Sequence, residues 1–187
     1  MDGVCMRKLI ECAFVSLDGV VESAEAWALP YFFNEENKKS ALSRLMECDV
    51  FLLGRLTFEL LKKSAAASAG GDPYYDRLNS MPKFVASTST GYAPDDATVL
   101  SVSIAEEVTR LKNQPGKGIM KYGNGSLDAA LVEHSLIDEL HLSVIPVVVG
   151  KGRRLFEGID PSHLKMRLVD TTRFQSGIVT LSYAWVK

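Results

Sequence analysis

The chain has 187 residues, of which 47% are hydrophobic and 24% charged, with a formal net charge of −2. These values fit a single domain with a sizeable core, and they give no electrostatic reason to expect binding to nucleic acid or an anionic membrane. Three cysteines without metal-ligand or disulfide-framework spacing predict a cytoplasmic protein without a metal site. The sequence also predicts no signal peptide and no membrane span.

The first quarter of the sequence predicts a buried strand, an aromatic loop and a helix. Lys8–Leu17 is mostly apolar and ends in the turn-forming residues Ser16–Gly19. Glu22–Phe33 has no regular periodicity but is rich in aromatic residues, so it either fills part of the core or lines a pocket. Asn34 is placed as an N-cap, and the apolar positions up to Met46 share one helical face.

The next segment predicts a strand, a glycine turn and the start of a second helix. Val50–Leu53 is apolar without polar alternation, which is typical of a strand buried on both faces of a parallel sheet. Gly54 follows, and a helix-like spacing begins at Phe58. Ser64–Pro82 contains small residues, a Gly-Gly pair and Asp-Pro, and it predicts a surface insertion or flexible loop within the one domain, residues 1–187.

The second half alternates strands with helices and ends in a hairpin. The predicted strands are Lys83–Thr88, Thr98–Val102, Gly118–Tyr122 and Asp138–Val149, and the hairpin strands are Leu164–Arg173 and Gly177–Val186. The predicted helices are Ile104–Asn113, which opens with a capping-box pattern of Ser103 and Glu106, and Leu127–Ser135. Pro146 within a strand indicates an edge position or a bulge. Together the elements predict a three-layer α/β domain with a mixed, mainly parallel sheet flanked by helices.

Two strand-to-helix turns marked by glycine point to anion binding. The first glycine turn is Gly54–Thr57 and the second is Gly123–Ser126. Unpaired N–H groups and the helix dipole favour an anion at such positions, and Arg55 adds a planar donor group suited to phosphate. For either turn on its own, the alternative to anion binding is a tight turn without a ligand, with Arg55 solvated at the first one. Two such turns on one sheet edge would suit a dinucleotide, with the hydroxyls of Ser87 and Thr88 at a third strand end.

Four motifs together resemble the dihydrofolate reductase-like superfamily. They are SLDG at Ser16–Gly19, LLGRLTFE at Leu52–Glu59, GNGSL at Gly123–Leu127, and the long pattern of Ile137–Phe156. The sequence is most similar to the branch that includes the C-terminal reductase domain of bacterial riboflavin biosynthesis, and the resemblance runs from about Arg7 to the C-terminus. It implies a mixed eight-stranded sheet, NADPH as cofactor and a homodimer.

The resemblance also assigns residues to the cofactor. Arg55 would face the 2′-phosphate of NADPH, and Gly123–Leu127 would hold the pyrophosphate. Asn124 stands where the family often has a second glycine. The full set implied for NADPH is Ala13, Gly54, Arg55, Thr57, Ser87, Thr88, Gly123, Asn124, Gly125, Ser126 and Leu127.

The implied activity is hydride transfer to a small heterocyclic, carbonyl or imine substrate, with 5-amino-6-(5-phosphoribosylamino)uracil of riboflavin biosynthesis as the first candidate. Asp18 either acts in catalysis, by orienting substrate or a proton-delivering water, or simply forms the turn before Gly19. The residues expected near substrate are Ser16, Asp18, Trp27, Phe32 and Phe33, with core packing as the alternative for the aromatic ones. A second hypothesis is a dimeric module that binds a nucleotide without turnover.

Several other polar residues receive no role. The three histidines lie on separate predicted elements without ligand spacing. Lys151, Arg153 and Arg154 are expected to be solvated, with contact to a substrate phosphate as the alternative.

Overall fold

A computed structural model of the chain describes residues 6–67, 71–87, 89, 91–100 and 103–186. Within these ranges, one sheet of eight strands forms the centre of the molecule. The strands are β1 (Leu9–Ser16), β2 (Cys48–Gly54), β3 (Lys83–Ala86), β4 (Thr98–Leu100), β5 (Gly118–Tyr122), β6 (Glu139–Ile145), β7 (Met166–Arg173) and β8 (Val179–Trp185). The helices are α1 (Ala24–Trp27), α2 (Leu29–Phe32), α3 (Glu35–Met46), α4 (Arg55–Ala67), α5 (Pro73–Ser80), α6 (Ile104–Lys112) and α7 (Ser126–Glu133), with a 3₁₀ turn at Pro161–His163.

The strand order is β4-β3-β2-β5-β1-β6-β8-β7. Strands β1 to β6 are all parallel, and β8 and β7 continue the sheet as an antiparallel hairpin next to β6. The predicted mainly parallel sheet with a C-terminal hairpin is therefore confirmed. After the neighbouring strands β2 and β5 the chain moves in opposite directions, through α4 to β3 and through α7 to β6. Such a reversal opens a crevice at the carboxyl ends of the two strands.

Each face of the sheet has its own apolar layer, because successive strand residues point to opposite sides. Ile10 of β1 belongs to a cluster with Leu45 of α3 and Leu78 of α5. Leu9 belongs to the opposite cluster, which includes Leu111 of α6 and leucine and valine residues of α7. The helices thus cover both faces, which gives the three layers that the alternation of strands and helices predicts.

Two helix starts follow their predicted caps. The side chain of Asn34 accepts a hydrogen bond of 3.0 Å from the backbone N–H of Asn37 at the start of α3. The hydroxyl of Ser103 accepts one of 3.4 Å from the backbone N–H of Glu106 at the start of α6. Each cap satisfies a backbone donor that the helix itself leaves unpaired, and the predicted start of each helix is confirmed.

The prediction of a loop over Ser64–Pro82 is wrong for most of the segment. Helix α4 continues to Ala67, and Pro73–Ser80 forms α5, whose Tyr74, Tyr75 and Leu78 are buried. The Asp-Pro pair that indicated a loop is a helix start: the Asp72 carboxylate accepts a hydrogen bond of 2.9 Å from the Tyr74 N–H, and proline occupies the first helical position.

Two other segments differ from the predictions. The aromatic segment Glu22–Phe33 contains the short helices α1 and α2. Strand β6 ends at Ile145, before Pro146, and lies between β1 and β8, so this proline marks neither an edge strand nor a bulge but the end of the strand. Val148 beyond it is 73% exposed, and the predicted homodimer stays a prediction. Thr88 and the end of the strand predicted to reach Val102 lie outside the described residues.

Replacement of Leu78 by alanine tests whether α5 is part of the core. Leu78 is 1% exposed, so we expect Leu78→Ala to lower the free energy of unfolding by about 2–5 kcal/mol. The neighbouring exposed residue gives the control: Asn79→Ala should cost less than about 0.5 kcal/mol. Urea unfolding followed by circular dichroism measures both changes. Equal effects of the two substitutions would contradict the packing of α5.

Candidate active site

The first glycine turn presents an arginine that neighbouring residues hold in place. Helix α4 begins at Arg55, directly after Gly54, the last residue of β2. A side chain on Gly54 would meet no other atom within 4 Å, so the space beside this turn is open. The guanidinium carbon of Arg55 lies 4.6 Å from the centre of the Tyr92 ring, and its Nη1 donates a hydrogen bond of 3.0 Å to Ser89 Oγ. A planar cation is therefore held, exposed, at the start of the helix.

The loop after β3 provides these contacts. Ser87 is buried, and its hydroxyl accepts a hydrogen bond of 3.2 Å from the Ser89 backbone N–H. The Tyr92 hydroxyl donates one of 2.7 Å to the Glu59 carboxylate on α4. Ser87 therefore supports the loop that holds Arg55. Ser89 and Tyr92 could not be predicted from the sequence, because nothing in the local pattern relates them to an arginine more than 30 residues earlier.

The second glycine turn lies directly against the first. Gly123 has a φ of +77°, a conformation that favours glycine, and a Cβ built on it would lie 3.2 Å from the Thr57 hydroxyl. Helix α7 begins at Ser126, which is exposed, and the Asp128 carboxylate accepts a hydrogen bond from the Gly125 backbone N–H. Leu127 packs against the core cluster. The structure thus brings together the two turns that the sequence predicted to share one sheet edge.

A buried charge cluster of Glu11, Lys121 and Asp128 lies under the second glycine turn, and the three residues are 0%, 2% and 0% exposed. The ammonium nitrogen of Lys121 is 2.5 Å from the Asp128 carboxylate and 3.5 Å from that of Glu11. Lys121 also donates a hydrogen bond of 2.5 Å to the Gly123 carbonyl, and the Asn124 amide donates one of 3.1 Å to Glu11. The second glycine turn is therefore hydrogen-bonded to charged side chains in the interior of the protein.

Burial and the neighbouring charges change the protonation of this cluster. Burial, with a further contribution from the Asp128 carboxylate, raises the pKa of Glu11 to about 8, against the opposing effect of Lys121. Burial by itself would lower the pKa of Lys121, but the two carboxylates reverse this and raise it. Near neutral pH the lysine is charged and Glu11 is mostly protonated.

Asn124, at the family's glycine position, is held from both sides. Arg153 Nη2 donates a hydrogen bond of 2.5 Å to the Asn124 carbonyl, and the Phe156 backbone N–H donates one of 3.4 Å to its side-chain oxygen. Asn124 is absent from the described residues with positive φ, so its backbone does not require glycine. The expectation of a solvated side chain is wrong for Arg153, which is half-buried against Asn124. Lys151 and Arg154 are exposed as expected, and Arg154 also donates a hydrogen bond to the Asp18 carbonyl.

Asp18 links the turn after β1 to the loop after β6. One carboxylate oxygen accepts hydrogen bonds from the Ser16 hydroxyl (2.7 Å) and the Val149 N–H (3.1 Å), and the other accepts one from the Gly150 N–H (2.8 Å). The bond from Ser16 and the two backbone bonds lower the pKa of Asp18 to about 2. Asp18 is therefore ionised at neutral pH. Its hydrogen bonds within the protein support the turn-forming alternative, and an orienting role in catalysis stays a prediction.

The aromatic residues expected near substrate have different surroundings. The Phe32 ring centre is 5.4 Å from that of Phe14 and 5.9 Å from that of Tyr74, so Phe32 packs, half-buried, against the core. Trp27 uses its indole N–H for a hydrogen bond of 3.0 Å to a backbone carbonyl of its own segment. Phe33 is 46% exposed. Ala13 is buried in β1, and contacts of these residues with substrate or cofactor stay predictions.

Three further findings concern other kinds of site. The described residues contain no group of three or more His, Cys, Asp or Glu side chains that could hold a metal ion. None of the helices in the described ranges is both long and apolar enough to cross a membrane. Burial raises the pKa of the Cys12 thiol to about 12, so this cysteine is protonated at neutral pH and is a poor nucleophile.

A mainly parallel eight-stranded sheet with two helix starts side by side at its strand ends defines a dihydrofolate reductase-like α/β domain. The family model of the RibD C-terminal domain matches residues 7–180. The chain therefore belongs to the RibD C-terminal domain family.

Comparisons with individual proteins agree with this assignment. The chain is 30% identical to the uncharacterised Bacillus subtilis (strain 168) protein YyaP, with 96% of this chain and 95% of YyaP covered. A Shewanella sp. PV-4 protein named for riboflavin biosynthesis superposes with a TM-score of 0.73 at 21% identity, covering 96% of this chain and 99% of that one. Dihydrofolate reductase from Enterococcus faecalis, in complex with NADP(H), superposes with a TM-score of 0.62 at 17% identity, covering 96% and 97%.

Replacement of Asp18 by asparagine should lower stability in a pH-dependent way. Because the folded-state pKa of Asp18 lies below its ordinary value of 3.8, its contribution is fully present above pH 4 and is lost as the pH falls through about 2. We expect Asp18→Asn to lower the melting temperature at pH 7, and the difference from wild type to shrink as the pH falls from 4 to 2. Calorimetric melting at several pH values measures this. A difference that is constant with pH would contradict the role of the charge.

Proposed function

We propose that the chain is an NADPH-dependent reductase that acts on a small heterocyclic, carbonyl or imine substrate. The observation that carries the proposal is the contact between the two glycine turns, with the Arg55 guanidinium held at the start of α4. Membership of the RibD C-terminal domain family supports it, because a structural neighbour of the chain is named for riboflavin biosynthesis and another is a dihydrofolate reductase in complex with NADP(H).

The residues present fit a dinucleotide that carries an additional phosphate. The first backbone N–H groups of a helix have no acceptor within the helix, so the starts of α4 and α7 suit an anion. Gly54 leaves the adjacent space open. Arg55 would hold the 2′-phosphate that distinguishes NADPH from NADH, since a guanidinium can make paired hydrogen bonds to phosphate oxygens. Within Gly123–Ser126, the N–H groups of Gly123 and Gly125 already donate to the Cys12 carbonyl and the Asp128 carboxylate, so the N–H groups of Asn124 and Ser126 would hold the pyrophosphate.

The chain's own contribution would be binding, orientation and electrostatics. When bound, NADPH supplies a hydride to the substrate. Asp18 joins the turn after β1 to the loop after β6, and as an ionised carboxylate it has no proton to give at neutral pH. The proton that completes the reduction would therefore come from water. A ribosylaminouracil of riboflavin biosynthesis is the first substrate to test.

The choice between NADPH and NADH tests the assignment of Arg55. We expect Arg55→Ala to weaken NADPH binding by roughly 10- to 100-fold and to change NADH binding little, because one charge-assisted interaction with a phosphate is lost. Titration of cofactor fluorescence measures both affinities. Arg110→Ala is the matched control, since Arg110 is an exposed arginine on α6 that pairs with Glu107. Failure of the wild-type protein to bind NADPH would overturn the proposal.

The second candidate is a module that binds the nucleotide without turnover. The observation in its favour is that both oxygens of the Asp18 carboxylate already accept hydrogen bonds within the protein. Oxidation of NADPH, followed by absorbance with a panel of aminouracils, pterins and small carbonyl compounds, separates the two functions. For a reductase we expect at least one compound to accelerate oxidation above the background without protein; binding without turnover across the panel would favour the module.

A further inference from the structure

We propose that Glu11, Lys121 and Asp128 are positioning residues for the second glycine turn, and that NADPH affinity falls when Glu11 loses its proton. This inference rests on the proposed function, since it concerns the same cofactor site.

The geometry of the buried charge cluster supports a positioning role. Each member contacts a different residue of Gly123–Gly125: Lys121 binds a carbonyl, Asp128 accepts from a backbone N–H, and Glu11 accepts from the side-chain amide of residue 124. Glu11 on β1 and Lys121 on β5 are direct neighbours in the parallel register. The three buried side chains of the cluster therefore hold the conformation of the second glycine turn without contacting the cofactor themselves.

The number of charges in the cluster makes its state depend on pH. With two carboxylates and one ammonium, the cluster has a net charge of −1 when all are ionised and zero when Glu11 carries a proton. Glu11 Oε2 is buried without a hydrogen-bond partner among the described residues, which is costly for an ionised carboxylate. A proton on Glu11 removes the excess charge and allows a hydrogen bond to Asp128, in keeping with the pKa raised to about 8.

The charged groups that face Glu11 come from each element packed around it. Lys121 approaches from β5 and Asp128 from α7, while Arg153, from the loop after β6, reaches the cluster through Asn124. The lysine pKa is raised, and arginine stays charged in proteins. Between pH 7 and 9, Glu11 is therefore the member of the cluster whose change of charge would alter the electrostatic potential at the second glycine turn.

A negative charge under the second glycine turn opposes the binding of a pyrophosphate. The charge is shielded from water, because all three side chains of the cluster are buried, so its effect on a nearby anion is only weakly screened. An interaction of this kind changes a dissociation constant by on the order of tenfold. By linkage, NADPH binding at pH 8 would be accompanied by proton uptake.

The experiment is a titration with NADPH at pH 7, 8 and 9, above the pKa of about 6 of the cofactor's phosphate monoester. For the wild type we expect the Kd to rise by on the order of tenfold across this range. For Glu11→Gln, which has the shape of the protonated side chain and cannot ionise, we expect a Kd that is nearly constant. Glu139→Gln, a variant of a β6 carboxylate that pairs with Lys8, is the control and should keep the wild-type dependence.

Calorimetric titration in buffers of different ionisation enthalpy gives a second measurement. We expect proton uptake on NADPH binding at pH 8 for the wild type and none for Glu11→Gln. The same pH dependence and the same uptake in both proteins would overturn the inference while leaving NADPH binding established. Absence of wild-type binding at pH 7 would instead overturn the proposed function, and the inference with it.

A second variant covers the case in which Glu11→Gln does not fold. Asp128→Asn removes the carboxylate that raises the pKa of Glu11 and leaves Lys121 beside it. We expect the pH at which NADPH affinity falls to move to a lower value in this variant. An unchanged midpoint in a folded Asp128→Asn protein, as judged by circular dichroism, would contradict the assignment of the pH dependence to Glu11.

Discussion

The candidate site depends on one buried ammonium group. Lys121 lies between the carboxylates of Glu11 and Asp128 and donates to the Gly123 carbonyl, so it joins β1, β5, α7 and the turn between the last two. Removing two ionic groups from water is costly, and the cost is offset only when each polar atom finds a partner. Loss of Lys121 would leave two carboxylates facing each other inside the protein, and the turn would lose its support together with the charge balance.

Much of the fold could be predicted because its signals are local. Val50–Leu53 lacks polar alternation, which is typical of a strand buried on both faces. Asn34 and Ser103 each cap a helix through the backbone N–H only three residues later, so the signal for the helix start is local. Gly118–Tyr122 has the same bounds in the sequence analysis and in the structure. Helix α5 was missed because Asp-Pro is compatible with both a loop and a helix start, and the burial of Leu78 by distant elements decides between them.

The position of the two glycine turns could be predicted because each turn directly follows a strand. Both glycine turns could be placed on one edge, but their supports could not, because Glu11 and Lys121 are 110 positions apart and meet through strand pairing. Tyr92 contacts Arg55, and Arg153 contacts Asn124, from loops that are also distant in the sequence. Asp18 could be singled out from its turn, but its hydrogen bonds to Val149 and Gly150 could not, because those residues lie more than 130 positions later. The substrate and the homodimer stay predictions.

The stacking of Arg55 on Tyr92 has a consequence for the thermodynamics of binding. A free arginine side chain samples many rotamers, and fixing it on a ligand costs roughly 2 kcal/mol of conformational entropy. In this protein the Tyr92 ring and the Ser89 hydroxyl restrict the side chain before any anion arrives. Part of that entropy is therefore already lost during folding, and more of the enthalpy of the phosphate contact can appear as affinity.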